Sequence, residues 1–469
     1  MRAQRSTRPP PPTPVTSTLP RRRAERFSYE RLEVDEQLGE LRCHYSLDDR
    51  HFVERIGVGG VPTERWATPD ARAAALWVFL LAGISYYKAG APPGIDLGEV
   101  GITTQDLEFL RTFYVDGLGE YAYRNELDLS GLEIAGDKPA TASTEPAVAT
   151  VPEPQLRPLV PFGGGIDSIV TTELVRERAG EQTAVFVVSA AGDRFAAIEA
   201  AAAATRLPVI RAERALDPAI FREDLGFLNG HVPVTGIISA IAVLAAVLHG
   251  RDAVVMSNEA SASSGNLVVG GRVVNHQWSK GVDFEEGFRG ALARHGVSAE
   301  YFSMLRSASE LWVAQRFAAM GRYHHVFRSC NRAFYVDPAL RLDRWCGECD
   351  KCCFVDLVLA PFMERTELEA VFAGHEPLDN DSLADRFRTL LATSSSPKPF
   401  DCVGDTPECR TALRLTATRP DRRDSGLVHQ LAAELPAEPA DAGAEVGHLL
   451  RPGRHHFIPD AYAPSDLLV

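Results

Sequence analysis

The chain has 469 residues, 45% of them hydrophobic and 24% charged, which suits two or three water-soluble domains with a substantial core. Its formal net charge is −14. The first 26 residues oppose that total with seven Arg and one Glu, so the remainder carries about −20. A body that acidic repels a phosphate backbone and argues against nucleic acid as a partner. The Arg- and Pro-rich start has no apolar stretch of the secretory kind, and the longest apolar run, 236–248, is too short to span a bilayer. A cytoplasmic protein without membrane partners is expected, and its eight cysteines then point to metal before disulfides. Its oligomeric state has no signature in the chain.

Residues 1–26, with prolines at 9–12, read as a disordered basic tail. From 27 to 133 the pattern predicts a small α+β domain, with strands around Leu32–Val34 and Leu41–Tyr45 and an Ala- and Leu-dense helix over 70–87. Residues 134–155, rich in Pro, Ala and Thr, read as a linker. Between 156 and 329 strands at 159–162, 184–189, 208–211 and 253–256 alternate with helices at 167–179, 194–205 and 233–248. That rhythm predicts a doubly wound parallel sheet with helices on both faces and a ligand at the strands' carboxyl ends. After residue 282 a helical pattern is expected. Residues 330–410 follow as a helical, Cys-rich metal-binding region, and 411–469 as a weakly ordered tail.

In the run Leu159-Val-Pro-Phe-Gly-Gly-Gly-Ile-Asp-Ser168 an apolar strand meets three glycines and a helix start. Without Cβ atoms, Gly163, Gly164 and Gly165 let backbone N–H groups approach phosphate oxygens, and the helix aims its positive end at the same anion. Ser168 offers a further hydrogen bond and Asp167 can hold Mg²⁺, so the run describes a cradle for the pyrophosphate of ATP. It resembles the PP-loop of ATP pyrophosphatases, Ser-Gly-Gly-x-Asp-Ser, with Gly163 standing where Ser is usual. No Gly-Lys-Ser/Thr follows, so it is not a Walker A loop.

Cys346, Cys349 and Cys352 recur every third residue, and Cys330 precedes them. Four thiolates from these positions would close a tetrahedral Zn²⁺ site with a structural role. The same spacing suits an iron–sulfur cubane, and buried free thiols are a third reading. Cys353 is then surplus and Cys43 a core thiol. Cys402 and Cys409 could serve as an acid and base pair, as in cofactor-independent racemases, or be simply buried.

Three polar segments fall where loops should meet the sheet's ligand edge. Asn229-Gly-His-Val-Pro-Val-Thr235 precedes an apolar helix, and its His231 is a base, an anion ligand or a cap. Ser257-Asn-Glu-Ala-Ser-Ala-Ser263 follows the strand 253–256, which turns Asn258 and Glu259 toward a ligand. In Asn275-His-Gln-Trp-Ser-Lys280, Lys280 could offset phosphate charge and His276 could move protons, or the segment is a surface loop pinned by Trp278.

Together with Gly83-Ile-Ser-Tyr-Tyr-Lys-Ala89, Asp116-Gly-Leu-Gly-Glu-Tyr-Ala-Tyr-Arg-Asn125, Arg344-Trp-Cys-Gly-Glu-Cys-Asp-Lys-Cys352, Ala360-Pro-Phe-Met363 and Lys398-Pro-Phe-Asp-Cys-Val-Gly404, these segments resemble the MurL family. That family comprises ATP-dependent epimerases of UDP-N-acetylmuramoyl-L-alanyl-L-glutamate in peptidoglycan synthesis. The resemblance covers roughly residues 80–405. One departure is Ile166, where the family often has Lys before the motif Asp. The resemblance implies a PP-loop fold, ATP, Mg²⁺ and structural Zn²⁺. It also implies that the terminal L-glutamate is inverted through an acyl adenylate, with release of AMP and pyrophosphate. His231, His276, Lys280 and Glu259 are then the candidates for proton transfer and oxyanion stabilisation. Asn229, Asn258, Asn275 and Trp278 are expected to contact the muramoyl substrate. An amide- or nitrile-forming enzyme like the 7-cyano-7-deazaguanine synthases, which also join this loop to a zinc site, is the alternative. A catalytically inactive nucleotide-binding module is the third reading.

Overall fold

The computed structural model of the chain describes residues 23–136, 156–335, 337–395, 399–437 and 442–464. Its main sheet is built from β1 (Phe27–Asp35), β2 (Glu40–Leu47), β3 (Arg50–Val58), β4 (Gly94–Asp96), β5 (Glu133–Ala135), β6 (Pro158–Pro161), β7 (Ala184–Ser189), β8 (Val209–Ala215), β9 (Ala253–Met256) and β12 (Glu300–Ser303). The hairpin β10 (Leu267–Val269) and β11 (Arg272–Val274) stands apart. Across the main sheet the order is β12-β9-β6-β7-β8-β3-β2-β1-β4-β5. Pairing is parallel from β12 through β8 and from β1 through β5, and antiparallel across β8-β3-β2-β1.

Neighbouring strand residues point to opposite faces, and each face has its own core. Leu159, Phe186 and Val254 join one buried cluster, while Val160, Val185, Val187 and Val255 join the other. The first cluster takes Ile237, Ile241 and Leu244 from the helix Val234–Leu248; the second takes Ile169, Val170 and Leu174 from Ile166–Ala179. Helices therefore cover both faces. Counted from β6, the parallel strands lie in the order 3-2-1-4-5, so the crossovers reverse direction between β6 and β9. A crevice opens at the carboxyl ends of strands flanking such a reversal, and that is where the glycine loop and Ser257–Glu259 emerge.

Several expectations need correction. The N-terminal strands are not set apart from the main sheet: β3 pairs antiparallel with β8 and extends it. A buried ion pair crosses this joint, with Arg214 Nε 2.6 Å from Glu54 Oε1. The helix over 70–87 is two, Pro69–Ala82 and Ile84–Tyr87, parted at Gly83, where an added Cβ would lie 2.7 Å from the Tyr29 hydroxyl. β12 lies in a stretch expected to be helical; too short to show periodicity, it is fixed by parallel pairing with β9.

Residues beyond 411 are not weakly ordered where described. The helices Thr406–Ala417 and Gly426–Ala433 bury Leu413, Leu427, Val428 and Leu431, and the Tyr462 hydroxyl donates to Asp252 at 2.7 Å. Ala, Pro and acidic residues masked an apolar face at helical spacing. Residues 1–22 of the expected tail and 137–155 of the expected linker lie outside the described residues.

Candidate active site

The loop after β6 is shaped by close contact on one side and space on the other. Gly164 has φ +77°, and an added Cβ would sit 3.1 Å from the Ala197 carbonyl oxygen and 3.3 Å from Ile198 Cα. At Gly163 an added Cβ would meet nothing within 4 Å. Gly165 is the N-cap of Ile166–Ala179 and provides no side chain to the helix's first N–H groups, which remain an anion-favouring end. Ser168 Oγ donates to the Gly165 carbonyl at 3.1 Å, so its hydroxyl already braces the turn.

A cavity of about 410 Å³ opens beside this loop, lined by Gly163, Gly165, Asp167 and Ser168 on one side and Met256, Ser257 and Asn258 on another. The Asp167 Oδ1 atom is buried without a partner. Burial, together with the nearby Glu259 carboxylate, raises the Asp167 pKa to about 6, against the pull of Lys351 and Lys280. An unsatisfied carboxylate beside a glycine cradle fits a divalent cation. Lys280 and Lys351 bring two ammonium groups to the cavity wall. Burial opposes both charges, yet neighbouring Cys402 and acidic groups hold both pKa values above the ordinary lysine value.

Beside the cavity, His276 Nδ1 hydrogen-bonds Glu120 Oε2, and Arg124 Nε donates to Glu120 Oε1 at 2.5 Å. The His231 and His276 rings lie 4.1 Å apart between centroids. Burial works against charge on His276, but hydrogen bonds to Cys402 and Glu120 raise its pKa to about 9. Burial and the His276 charge lower that of His231 to about 4. Farther along, Asn229 Oδ1 accepts from Lys88 Nζ at 2.6 Å, and its carbonyl accepts from Asn125 Nδ2 at 3.1 Å.

The sequence-predicted residues thus divide. Gly163, Gly165, Asp167, Ser168, Asn258 and Lys280 share the cavity, and Gly164 packs behind it. Glu259 is buried behind the wall, accepting from Ser261 Oγ at 3.2 Å. His231 and His276 form a cluster next to the cavity, and Asn229 joins them through the same loop. Asn275 spends both ends of its amide internally, on the Ala262 carbonyl and the Gln277 N–H, and Trp278 packs against Phe113 and Phe284. Both also edge a smaller cavity of about 290 Å³.

Three polar residues of the site escaped the sequence-based assignment: Lys88, Glu120 and Lys351; of the two cysteines weighed as an acid and base pair, Cys402 lines the cavity and Cys409 is buried in the core. Lys88 and Glu120 sat in plain view in the Tyr-Tyr-Lys and Gly-Leu-Gly-Glu segments. Only the fold shows that these segments reach the loop 229–235.

The thiols of Cys330, Cys346, Cys349 and Cys352 lie within 4.8 Å of one another, while Cys353 is buried in the core. Cys346 Sγ is 3.6 Å from Cys352 Sγ and accepts N–H bonds from Glu348 and Cys349 at 3.4 and 3.3 Å. Tetrahedral Zn–S bonds would set sulfurs about 3.8 Å apart, so the four thiols fit that ion. The cluster also holds the cavity's far wall. Arg328, Ser329 and Asn331 flank Cys330, Lys351 stands between Cys349 and Cys352, and Arg328 N–H donates to the Gly164 carbonyl at 2.9 Å.

Fold and site together define an α/β protein with a strand-end ligand cavity buttressed by a four-thiol cluster. Residues 19–304 match the family model described as the MurL N-terminal domain, and 326–446 match the MurL C-terminal domain. The chain belongs to the MurL family. A relative from Xanthomonas oryzae pv. oryzae (strain MAFF 311018) is 38% identical over 443 residues, 93% of this chain and 95% of its own. One from Micromonospora sp. is 39% identical over 459 residues, covering 95% and 98%, and one from Salinispora tropica is 39% identical over 455, covering 95% and 96%. All three are named UDP-N-acetyl-alpha-D-muramoyl-L-alanyl-L-glutamate epimerase. No solved structure matches. Among the described residues no helix is long and apolar enough to cross a membrane.

Proposed function

We propose that the chain inverts the terminal L-glutamate of UDP-N-acetylmuramoyl-L-alanyl-L-glutamate at the expense of ATP, through an acyl adenylate, in peptidoglycan synthesis. The relatives' names support the epimerase reading over an amide- or nitrile-forming one. The observation that carries the chemistry is a single cavity holding the glycine loop, the unpartnered Asp167 carboxylate and two lysines.

Removing a Cα proton beside an ionised carboxylate is very unfavourable, because the carbanion would gather two negative charges. The substrate's nitrogen is locked in a peptide bond, so it cannot form a Schiff base with pyridoxal phosphate. Joining the carboxylate to AMP removes its charge and leaves an ester-like carbonyl, whose enolate positive neighbours can stabilise. In this reading Gly163–Gly165 and Ser168 cradle pyrophosphate, and Asp167 holds Mg²⁺, which offsets phosphate charge when bound. Lys280 and Lys351 stabilise phosphate and enolate charge. His231, His276 and Glu259 remain candidates for moving protons, and Asn229 and Asn258 for holding the muramoyl dipeptide. Cys330, Cys346, Cys349 and Cys352 hold structural Zn²⁺ and so keep the far wall in place.

The test incubates the protein with ATP, Mg²⁺ and the UDP-muramoyl dipeptide, then measures AMP and the chirality of glutamate after acid hydrolysis. AMP with D-glutamate is expected. AMP without inversion would point to another acceptor reaction. Neither product from folded, metal-loaded protein would favour an inactive nucleotide-binding module.

A further inference from the structure

We infer that Cys402 is the base that takes the α-proton of the activated glutamate, an assignment that rests on the epimerase reading above. The thiol lines the same cavity as the glycine loop. Asp167 Oδ1, Ser257 Oγ and Ser329 Oγ on that wall are buried and lack partners, as expected where a polar ligand belongs. Lys280 Nζ lies 3.3 Å from the sulfur, and the His276 side chain hydrogen-bonds it. His276 is held in turn by Glu120, and Glu120 by Arg124. Thiol, imidazole and carboxylate therefore stand in series, the arrangement that readies a sulfur for proton transfer or attack, with an ammonium added at the sulfur.

The other cavity groups suit the task less well. Lys280 is held protonated, and Lys351 and Asp167 line the phosphate cradle. His276 is protonated at neutral pH. Burial pushes the Cys402 thiol up, but Lys280, His276 and Lys351 outweigh it and bring the pKa to about 7, where a base for neutral-pH catalysis works best.

In the step, the Cα–H bond breaks and its electron pair becomes the enolate carbon–carbon double bond. The proton forms an S–H bond on Cys402. A solvent-derived proton then adds to the opposite face of Cα, water hydrolyses the activated carboxyl, and the thiol returns its proton to water. Nothing is oxidised or reduced.

The experiment compares full-length, metal-loaded parent, Cys402→Ala and Cys402→Ser. It follows AMP release, deuterium uptake at Cα in D₂O, and D-glutamate. Uptake and inversion should fall about 10³-fold while AMP release falls far less. Inversion within about tenfold of the parent would overturn the assignment. So would equal loss of AMP release and inversion in variants with parental melting temperature. Iodoacetamide labelling of the parent, mapped to peptides, gives a check free of mutation. Alkylation of Cys402 should be half-maximal near pH 7, be slowed by ATP with substrate, and abolish inversion; a Cys402-alkylated protein that still inverts glutamate would refute it. A parent that neither releases AMP nor inverts glutamate refutes the epimerase reading itself, whereas an active parent with unaffected variants refutes only the role of Cys402.

Discussion

The His231 and His276 rings lie 4.1 Å apart between centroids, yet their surroundings drive their pKa values in opposite directions, to about 4 and about 9. Cys402 and Glu120 hold the charge on His276, whereas burial and the neighbouring His276 charge keep His231 neutral. An NMR titration should find His276 protonated at pH 7.5 and His231 neutral. Glu120→Gln should lower the His276 value by more than one unit.

The same pair shapes stability against pH. The His276 value is raised above its ordinary 6.5, so its contribution is fully present below 6.5 and fades as pH rises through about 9. The His231 value is depressed, so the unfolded chain binds more protons, and stability falls as pH drops from 6.5 toward 4. Above pH 7 the lowered Cys402 value works in the opposite sense, so urea unfolding of the parent should change little between pH 6.5 and 9.5, whereas Glu120→Gln, which removes one partner of His276, should gain stability over that range.

Gly163 and Gly164 should respond differently to added side chains. Gly164→Ala forces a left-handed backbone and a 3.1 Å contact with the Ala197 carbonyl, which should cost about 1–2 kcal/mol and weaken ATP binding. Gly163→Ser meets open space and should change unfolding free energy by less than about 0.5 kcal/mol. Denaturant melts and ATP titrations of both variants check this.

Glu54 is fully buried against Arg214 where β3 meets β8. Glu54→Gln leaves an uncompensated guanidinium and should destabilise the protein by about 3–5 kcal/mol. A single unfolding transition is expected in parent and variant alike, because the joint lies inside one sheet. Two separated transitions would contradict that.

Metal analysis should find one Zn²⁺ per chain, lost in Cys346→Ser and retained in Cys353→Ser, whose thiol lies in the core. Chelation should lower the melting temperature and ATP affinity together, since Ser329 and Lys351 reach the cavity from positions next to cysteines of the four-thiol cluster.

The site was legible in the sequence wherever chemistry is local. Three glycines before Asp167-Ser168 and cysteines at three-residue spacing carry their meaning within ten residues. Strand and helix positions from 158 to 256 were readable for the same reason, since buried parallel strands are short apolar runs between amphipathic helices. What could not be read depends on distant contacts. Glu120 and His276 are 156 positions apart, and Lys280 and Cys402 are 122. Trp278 stands among polar neighbours in the sequence, which cannot show that its ring packs with Phe113 and Phe284 while edging the smaller cavity. The joining of β3 to β8 was hidden because pairing of Arg55–Val58 with Ala212–Ala215, so far apart in the chain, leaves no mark in either segment.

The central claim is that the carboxylate is activated before the α-proton is removed. Proton NMR of the UDP-muramoyl dipeptide in D₂O with enzyme and Mg²⁺ tests this order directly. The glutamate Cα–H signal should persist without ATP and be lost once ATP is added, as AMP and pyrophosphate accumulate. Loss of that signal without ATP, or inversion with no AMP formed, would contradict the account.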